Sequence, residues 1–183
     1  MVSAFIIRKA ALAIKQGAVI AYPTEAVFGL GCDPYQQAAV NRLLLLKHRP
    51  IEKGLILVAS QLQQFDDFIE PLTDKQKQTI QASPHTSWVV PAKHAPFWLR
   101  GAHCSLAIRL STHPLIVALC DSLDQPIVST SANPSKQTPA KTSLQCHHYF
   151  HRELEIIINS ETGSLAKPTE IRNLLTQQVI RTN

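Results

Sequence analysis

Residues 18–34 read AVIAYPTEAVFGLGCDP, two apolar runs interrupted by a proline, a hydroxyl and an acid. Pro23 lacks the amide donor that a central ladder needs, so it must end the strand that begins at Ala18 and has Val19–Tyr22 as its body. Ala26–Leu30 then reads as a second extended segment. A tight hairpin favours Asn-Gly or Asp-Gly at its turn, and a buried closure rarely carries a carboxylate. Tyr22, Pro23, Thr24 and Glu25 therefore look like part of a site, with Gly29 and Gly31 admitting a second backbone or a ligand at close range.

The segments around this stretch alternate between helix and strand periods. Ile7, Ala10, Ala11 and Ile14 recur at helical spacing, with Arg8, Lys9 and Lys15 off the stripe and Gly17 placed as a C′ residue, which predicts a helix over residues 3–16. A second helix runs from about Gln36 and stops before Pro50; GLILVA at 54–59 has the continuous apolar character of a strand buried on both faces. Thr73 with Gln76 offers a capping box for a helix through Gln81, and Pro114 opens a helix over 114–123. Further strands are expected at 87–90, 105–110, 126–130, 154–158 and near 178–181. The alternation predicts an α/β fold, helices around a twisted, mixed sheet, in a single domain covering residues 1–183, with no internal repeat.

At 183 residues and 45% hydrophobic, the chain is long enough for one well-packed domain. No apolar run approaches the roughly 20 residues needed to cross a bilayer, and the first fifteen residues do not read as a signal peptide, so a soluble, cytoplasmic protein without membrane contact is expected. Cys32, Cys104, Cys120 and Cys146 form no Cys-x-x-Cys pair, which fits free thiols in a reducing compartment. Cys146, His147, His148 and His151 are read as a solvated helix surface rather than a metal site, with His147 and His151 on one helix face. The net charge of +5 favours an anionic ligand or partner, and the scattered cations favour a pocket over a nucleic-acid arm.

The nucleotide signatures G-x-x-x-x-G-K-[ST] and G-x-G-x-x-G are absent, and six glycines in all leave little room for either. Three other segments place basic or hydroxyl groups at strand or helix ends, where ligands of open sheets bind. In LKHRPIEKG, Lys47, Arg49 and Lys53 mark either a phosphate site or a solvated helix end whose cations suit the dipole. In SLAIRLSTHP, Arg109 stands in an apolar strand, so its guanidinium is paired in a salt bridge or faces a cavity. In PIVSTSANPS, an apolar strand runs into Ser129, Thr130, Ser131 and Asn133, which can cradle an oxyanion or simply form a turn. No G-x-S-x-G context makes any of these serines an elbow nucleophile. Lys167, Thr169, Arg172 and Arg181 are weaker candidates.

AYPTEAVFGLG, LKHRPIEKGLIL, SLAIRLSTHP, PIVSTSANPS and KPTEIR together, in this order and spacing, resemble the motifs of the YrdC-like family, the threonylcarbamoyl-AMP synthases, over nearly the whole chain. The resemblance is to the short form of that family. It implies a basic concave cavity, walled in part by Tyr22, Pro23, Thr24 and Glu25, in which ATP, L-threonine and bicarbonate yield threonylcarbamoyladenylate and pyrophosphate. The product is then used by separate transferase machinery to modify adenosine 37 of tRNA. By the same resemblance, Lys47 and Arg49 are the catalytic cations on the ATP phosphates with Lys53 alongside; Ser105, Ser131 and Arg181 complete the ATP site; and Arg109, Ser129 and Thr169 hold threonine or its carbamoyl group. No cofactor is held tightly, no protein metal site is expected, and Mg²⁺ accompanies ATP with few protein ligands.

Two positions depart from the family pattern. Ala26 stands where many relatives have a second threonine, and in SPHTSWVVP either Thr86 or Ser87 takes the place of another. The chemistry itself needs no protein nucleophile, only two anions and an amine held in line by cations. The rival reading is a module that binds double-stranded RNA or tRNA without catalysis, which would show steep salt dependence and indifference to ATP.

Overall fold

The structure is a computed structural model that describes residues 2–151, 153–165 and 169–182. Ser3 caps α1 (Ala4–Lys15), accepting the Ile6 amide, and Gly17 ends it at φ +87°, a conformation glycine adopts without cost. After it come β1 (Ile20–Pro23), β2 (Phe28–Cys32), α2 (Gln37–Leu46), β3 (Ile56–Ala59), α3 (Asp74–Gln81) and β4 (Thr86–Pro91). The chain continues with α4 (Phe97–Arg100), β5 (Ser105–Leu110), α5 (Pro114–Leu123), β6 (Ile127–Ser131), α6 (Ser143–Phe150), β7 (Ile156–Ile157), β8 (Glu170–Asn173) and β9 (Val179–Arg181). Short 3₁₀ turns lie at Ile51–Lys53 and Leu62–Phe65.

Among the described residues nine strands form one mixed sheet in the order β7-β1-β2-β6-β3-β5-β4-β8-β9. β1/β7, β3/β5 and β4/β8 run parallel; the other neighbours run antiparallel. Because side chains alternate across a strand, each strand feeds two layers. Val19, Ala21, Phe28, Leu30, Leu57, Ile108 and Val128 pack with Val40, Leu43 and Leu44 of α2 and Ile80 of α3. Ile20, Tyr22, Val58 and Ile127 pack with Ile7, Ala10 and Ile14 of α1 and Ile116, Leu119 and Cys120 of α5. Each fully buried leucine or isoleucine here contributes roughly 1.5 to 3 kcal/mol by leaving water.

Several expectations are corrected. The second extended segment starts at Phe28 instead of Ala26, because Thr24 closes a turn by donating both its amide (3.0 Å) and its Oγ1 (2.8 Å) to the Val27 carbonyl. β1 and β2 are thus an ordinary antiparallel hairpin whose closure is a threonine side chain. The strand expected over 154–158 shrinks to Ile156–Ile157, and α4 and β8 lie where the periodicity gave no element. His151 is the C-cap of α6 at φ 45°, so it leaves the helix and shares no face with His147. Cys146 points into the core, where burial pushes its thiol up to about 12. Among the described residues no helix is long and apolar enough to cross a membrane.

Candidate functional site

One face of the sheet is only half covered. α1 and α5 pack over Ile20, Tyr22 and Ile127, Val58 belongs both to that cluster and to the cavity, and the rest of that face floors a cavity of about 700 Å³, a size suited to a small-molecule ligand. The floor takes every second residue of each strand: Ile56 and Val58, Ser105, Ala107 and Arg109, Ser129 and Ser131, then Thr169, Ile171 and Asn173. The β1–β2 turn from Thr24 to Val27 walls one side; the α2 exit at Lys47 and Arg49, the 53–55 segment, and Leu99 and Arg100 wall another. Seven Lys or Arg side chains line it (Lys47, Arg49, Lys53, Arg100, Arg109, Lys136 and Arg181) against one carboxylate, Glu25. Low-dielectric walls with one sign of charge concentrate anions.

Lys47 caps α2 and is 4% exposed. Its ammonium donates to the carbonyls of Ser131 and Asn133, the latter at 2.9 Å, leaving a third N–H for a ligand. Burial, then the neighbouring Arg49, pushes its pKa down to about 8. Arg49 donates to the Gly54 carbonyl at 2.8 Å while its Nε is buried without a partner. Burial and then Arg181 lower the Arg49 pKa, and burial and then Arg109 lower that of Arg181, so Arg181 stands between the fields of the other two guanidinium groups. Arg181 itself donates to the Thr169 carbonyl at 3.1 Å.

Arg109 is 8% exposed and meets Glu25 Oε2 at 3.3 Å and Thr169 Oγ1 at 3.3 Å; its Nε has no partner. Thr169 Oγ1 also lies 3.1 Å from Ser87 Oγ. Burial pushes the Glu25 carboxyl up, but the Arg109 guanidinium and the Ser111 hydroxyl, which donates at 2.6 Å, outweigh it and hold the group below the ordinary carboxylate range. Both readings of Arg109 therefore hold at once: it is ion-paired and it faces the cavity.

Lys47, Arg49, Lys53, Ser105, Arg109, Ser129, Ser131, Thr169, Arg181, Thr24 and Glu25, drawn from all five motifs, converge on this one cavity. Tyr22 and Pro23 lie behind the wall. Tyr22 is fully buried and donates to Ser129 Oγ at 2.9 Å, and burial raises its phenol. Gly31 makes room for that ring: a Cβ there would stand 2.7 Å from Tyr22 Cε1 and 2.9 Å from the Val128 carbonyl oxygen. What approaches this glycine is the second backbone that was expected, at the Val128 carbonyl, together with the Tyr22 ring. Of the two candidates in β4, Ser87 bonds Thr169. Arg172 instead pairs with Glu170 at 2.6 Å, and Lys167 lies outside the described residues. Arg100, His103 and Lys136 line the cavity without having been expected there. The signal for His103 is period two, since 103, 105, 107 and 109 continue one strand face.

Comparison with known proteins places this geometry in context. The family model Sua5/YciO/YrdC, described as telomere recombination, matches residues 12–182. A protein of Pseudomonas putida strain F1 called threonylcarbamoyl-AMP synthase is 47% identical over 186 residues, covering 99% of both chains. A protein of the same description from Cellvibrio japonicus is 45% identical over 175 residues, covering 94% of this chain and 93% of that one. Among solved structures, P. abyssi Sua5 complexed with L-threonine matches with a TM-score of 0.88 at 24% identity, covering 94% of this chain. The chain spans 52% of that protein's length. E. coli YciO matches with a TM-score of 0.81 at 21% identity over 97% of this chain and 88% of its own.

Proposed function

The chain belongs to the Sua5/YciO/YrdC family, and from that premise we propose that it is a threonylcarbamoyl-AMP synthase, converting L-threonine, bicarbonate and ATP to L-threonylcarbamoyladenylate and pyrophosphate. The observation that carries the reading is the convergence of seven cations on one cavity with a single, already neutralised carboxylate. The threonine amine and bicarbonate lose water to give a carbamate. A carbamate oxygen then attacks the α-phosphorus, and pyrophosphate leaves from the opposite side. Holding the reactants in line is worth roughly 7 to 11 kcal/mol in favourable intramolecular systems, and fixed cations stabilise the charge moving onto the leaving group.

In this reading Lys47 and Arg49 grip the triphosphate with Lys53 at the rim. Ser105, Ser131 and Arg181 hold the rest of the nucleotide; Arg109, Ser129 and Thr169 hold threonine and its carbamate. Among the described residues Glu25 is the one carboxylate on the wall, and it is ion-paired with Arg109 and accepts from Ser111, so Mg²⁺ fits as part of the ATP complex, taking its oxygens from the phosphates. The four cysteines are free, which suits a reducing cytoplasm, where the product passes to separate machinery that modifies tRNA. Pyrophosphate release with each of ATP, threonine and bicarbonate omitted in turn tests the proposal. Release should require all three. Tight, salt-sensitive RNA binding without any such release would instead favour an RNA-binding module.

A further inference from the structure

Arg109 is the one arginine on the cavity lining that is fully buried, and a side chain with that many rotamers needs something to fix its orientation. Its partners are Glu25 and Thr169, each only 3.3 Å away. Glu25 is itself held from behind. Ser111, 2% exposed and absent from the cavity lining, donates its hydroxyl to Glu25 Oε1 at 2.6 Å and accepts the His113 amide at 3.1 Å. The Ser111 backbone is pinned in turn, its amide donating to the Ala59 carbonyl at 2.9 Å.

A serine hydroxyl has one proton and rotates freely unless a second bond fixes it. Here the His113 amide occupies a lone pair, which leaves the proton directed at Glu25. From the start of α5 inward, hydrogen bonds join the backbone amide to the hydroxyl and the hydroxyl to the carboxylate, and an ion pair at 3.3 Å joins the carboxylate to the guanidinium. The Glu25 Oε2 of that pair and the Arg109 Nε are buried without a hydrogen-bond partner. The guanidinium's remaining donors suit a carboxylate or carbamate, which accepts two parallel bonds from arginine.

We propose that Ser111 is a positioning residue for the amino-acid substrate, aligning Glu25 so that the Arg109 guanidinium on the cavity lining is held in the orientation that meets the substrate's anionic group. The inference rests on the assignment of Arg109 to threonine made above. A purely structural role, in which Ser111 only turns the chain into α5, would weaken the whole fold and move both substrates' parameters together.

The test measures pyrophosphate release with threonine varied at saturating ATP, and the reverse. Ser111→Ala should raise the threonine KM about tenfold or more, the scale of a lost hydrogen bond to a charged group, while the ATP KM stays within about twofold. Ser111→Thr, which keeps the hydroxyl, should return threonine use to within about threefold of wild type. Glu25→Gln keeps the shape and loses the charge, so it should reproduce the threonine-selective rise even where Ser111→Ala melts too early to assay. Parallel rises in both KM values, or a Ser111→Ala enzyme indistinguishable from wild type, would overturn the inference alone. A wild-type protein that releases no pyrophosphate with all three substrates would overturn the reading beneath it.

Discussion

Lys47 gives the sharpest prediction because its charge is poised near the working pH. Its pKa falls from the ordinary 10.5 to about 8. At about 1.4 kcal/mol per unit, that shift represents roughly 3 kcal/mol by which the empty protein disfavours the cation. A triphosphate beside the ammonium favours the charged form, so ATP binding recruits a proton at any pH where Lys47 is partly neutral. Below pH 8 the lysine is already charged and affinity is flat; above it, affinity falls up to tenfold per unit. Between pH 7 and pH 9.5 the ATP dissociation constant should weaken about thirtyfold by this linkage. Lys47→Met removes the charge at nearly constant length. It should weaken ATP binding about ten- to a hundredfold at pH 7 and abolish the pH slope. Titration calorimetry with a non-hydrolysable ATP analogue reads affinity and proton uptake together. A wild-type affinity flat across this range, or a slope that persists in Lys47→Met, would refute the assignment.

Two other perturbations test separate parts of the account. Arg109→Ala should raise the threonine KM far more than the ATP KM in steady-state pyrophosphate release if the amino acid seats at this guanidinium as proposed; equal losses would mark it as only a structural ion pair. Gly31→Ala forces a Cβ to 2.7 Å from the Tyr22 ring, an overpacking of roughly 1 to 3 kcal/mol, and should lower the thermal midpoint by roughly 3 to 10 °C with Ser129 displaced from its tyrosine partner.

Where pattern and chemistry coincide, the sequence was a sufficient guide. The apolar stripe Ile7, Ala10, Ala11 and Ile14 is the buried face of α1, the Thr73 and Gln76 capping box starts α3, and Pro114 opens α5. Each signal is local, so each survives without knowledge of the partner. Residues that went unexpected around the site depend on neighbours distant in the chain. Ser111 acquires meaning only when the β1–β2 turn brings Glu25 to it across 86 positions. Strand β8 has no apolar alternation of its own and exists because β4 supplies a parallel edge for it. The glycines of β2 illustrate the same limit. Their spacing announced a close approach by a second backbone or a ligand; at Gly31 the Val128 carbonyl is that backbone, while the Tyr22 ring beside it depends on a pairing the spacing does not contain.

The central claim is that one cavity holds both substrates, with the triphosphate at the α2 exit and the amino acid at Arg109. A crystal structure of the protein with L-threonine and a non-hydrolysable ATP analogue tests it most directly. The account predicts phosphate oxygens on Lys47 and Arg49 and the amino acid's anionic group on Arg109 in the same molecule. Phosphates bound on an outer surface, or threonine seated away from Arg109 with its pair to Glu25 undisturbed, would contradict it.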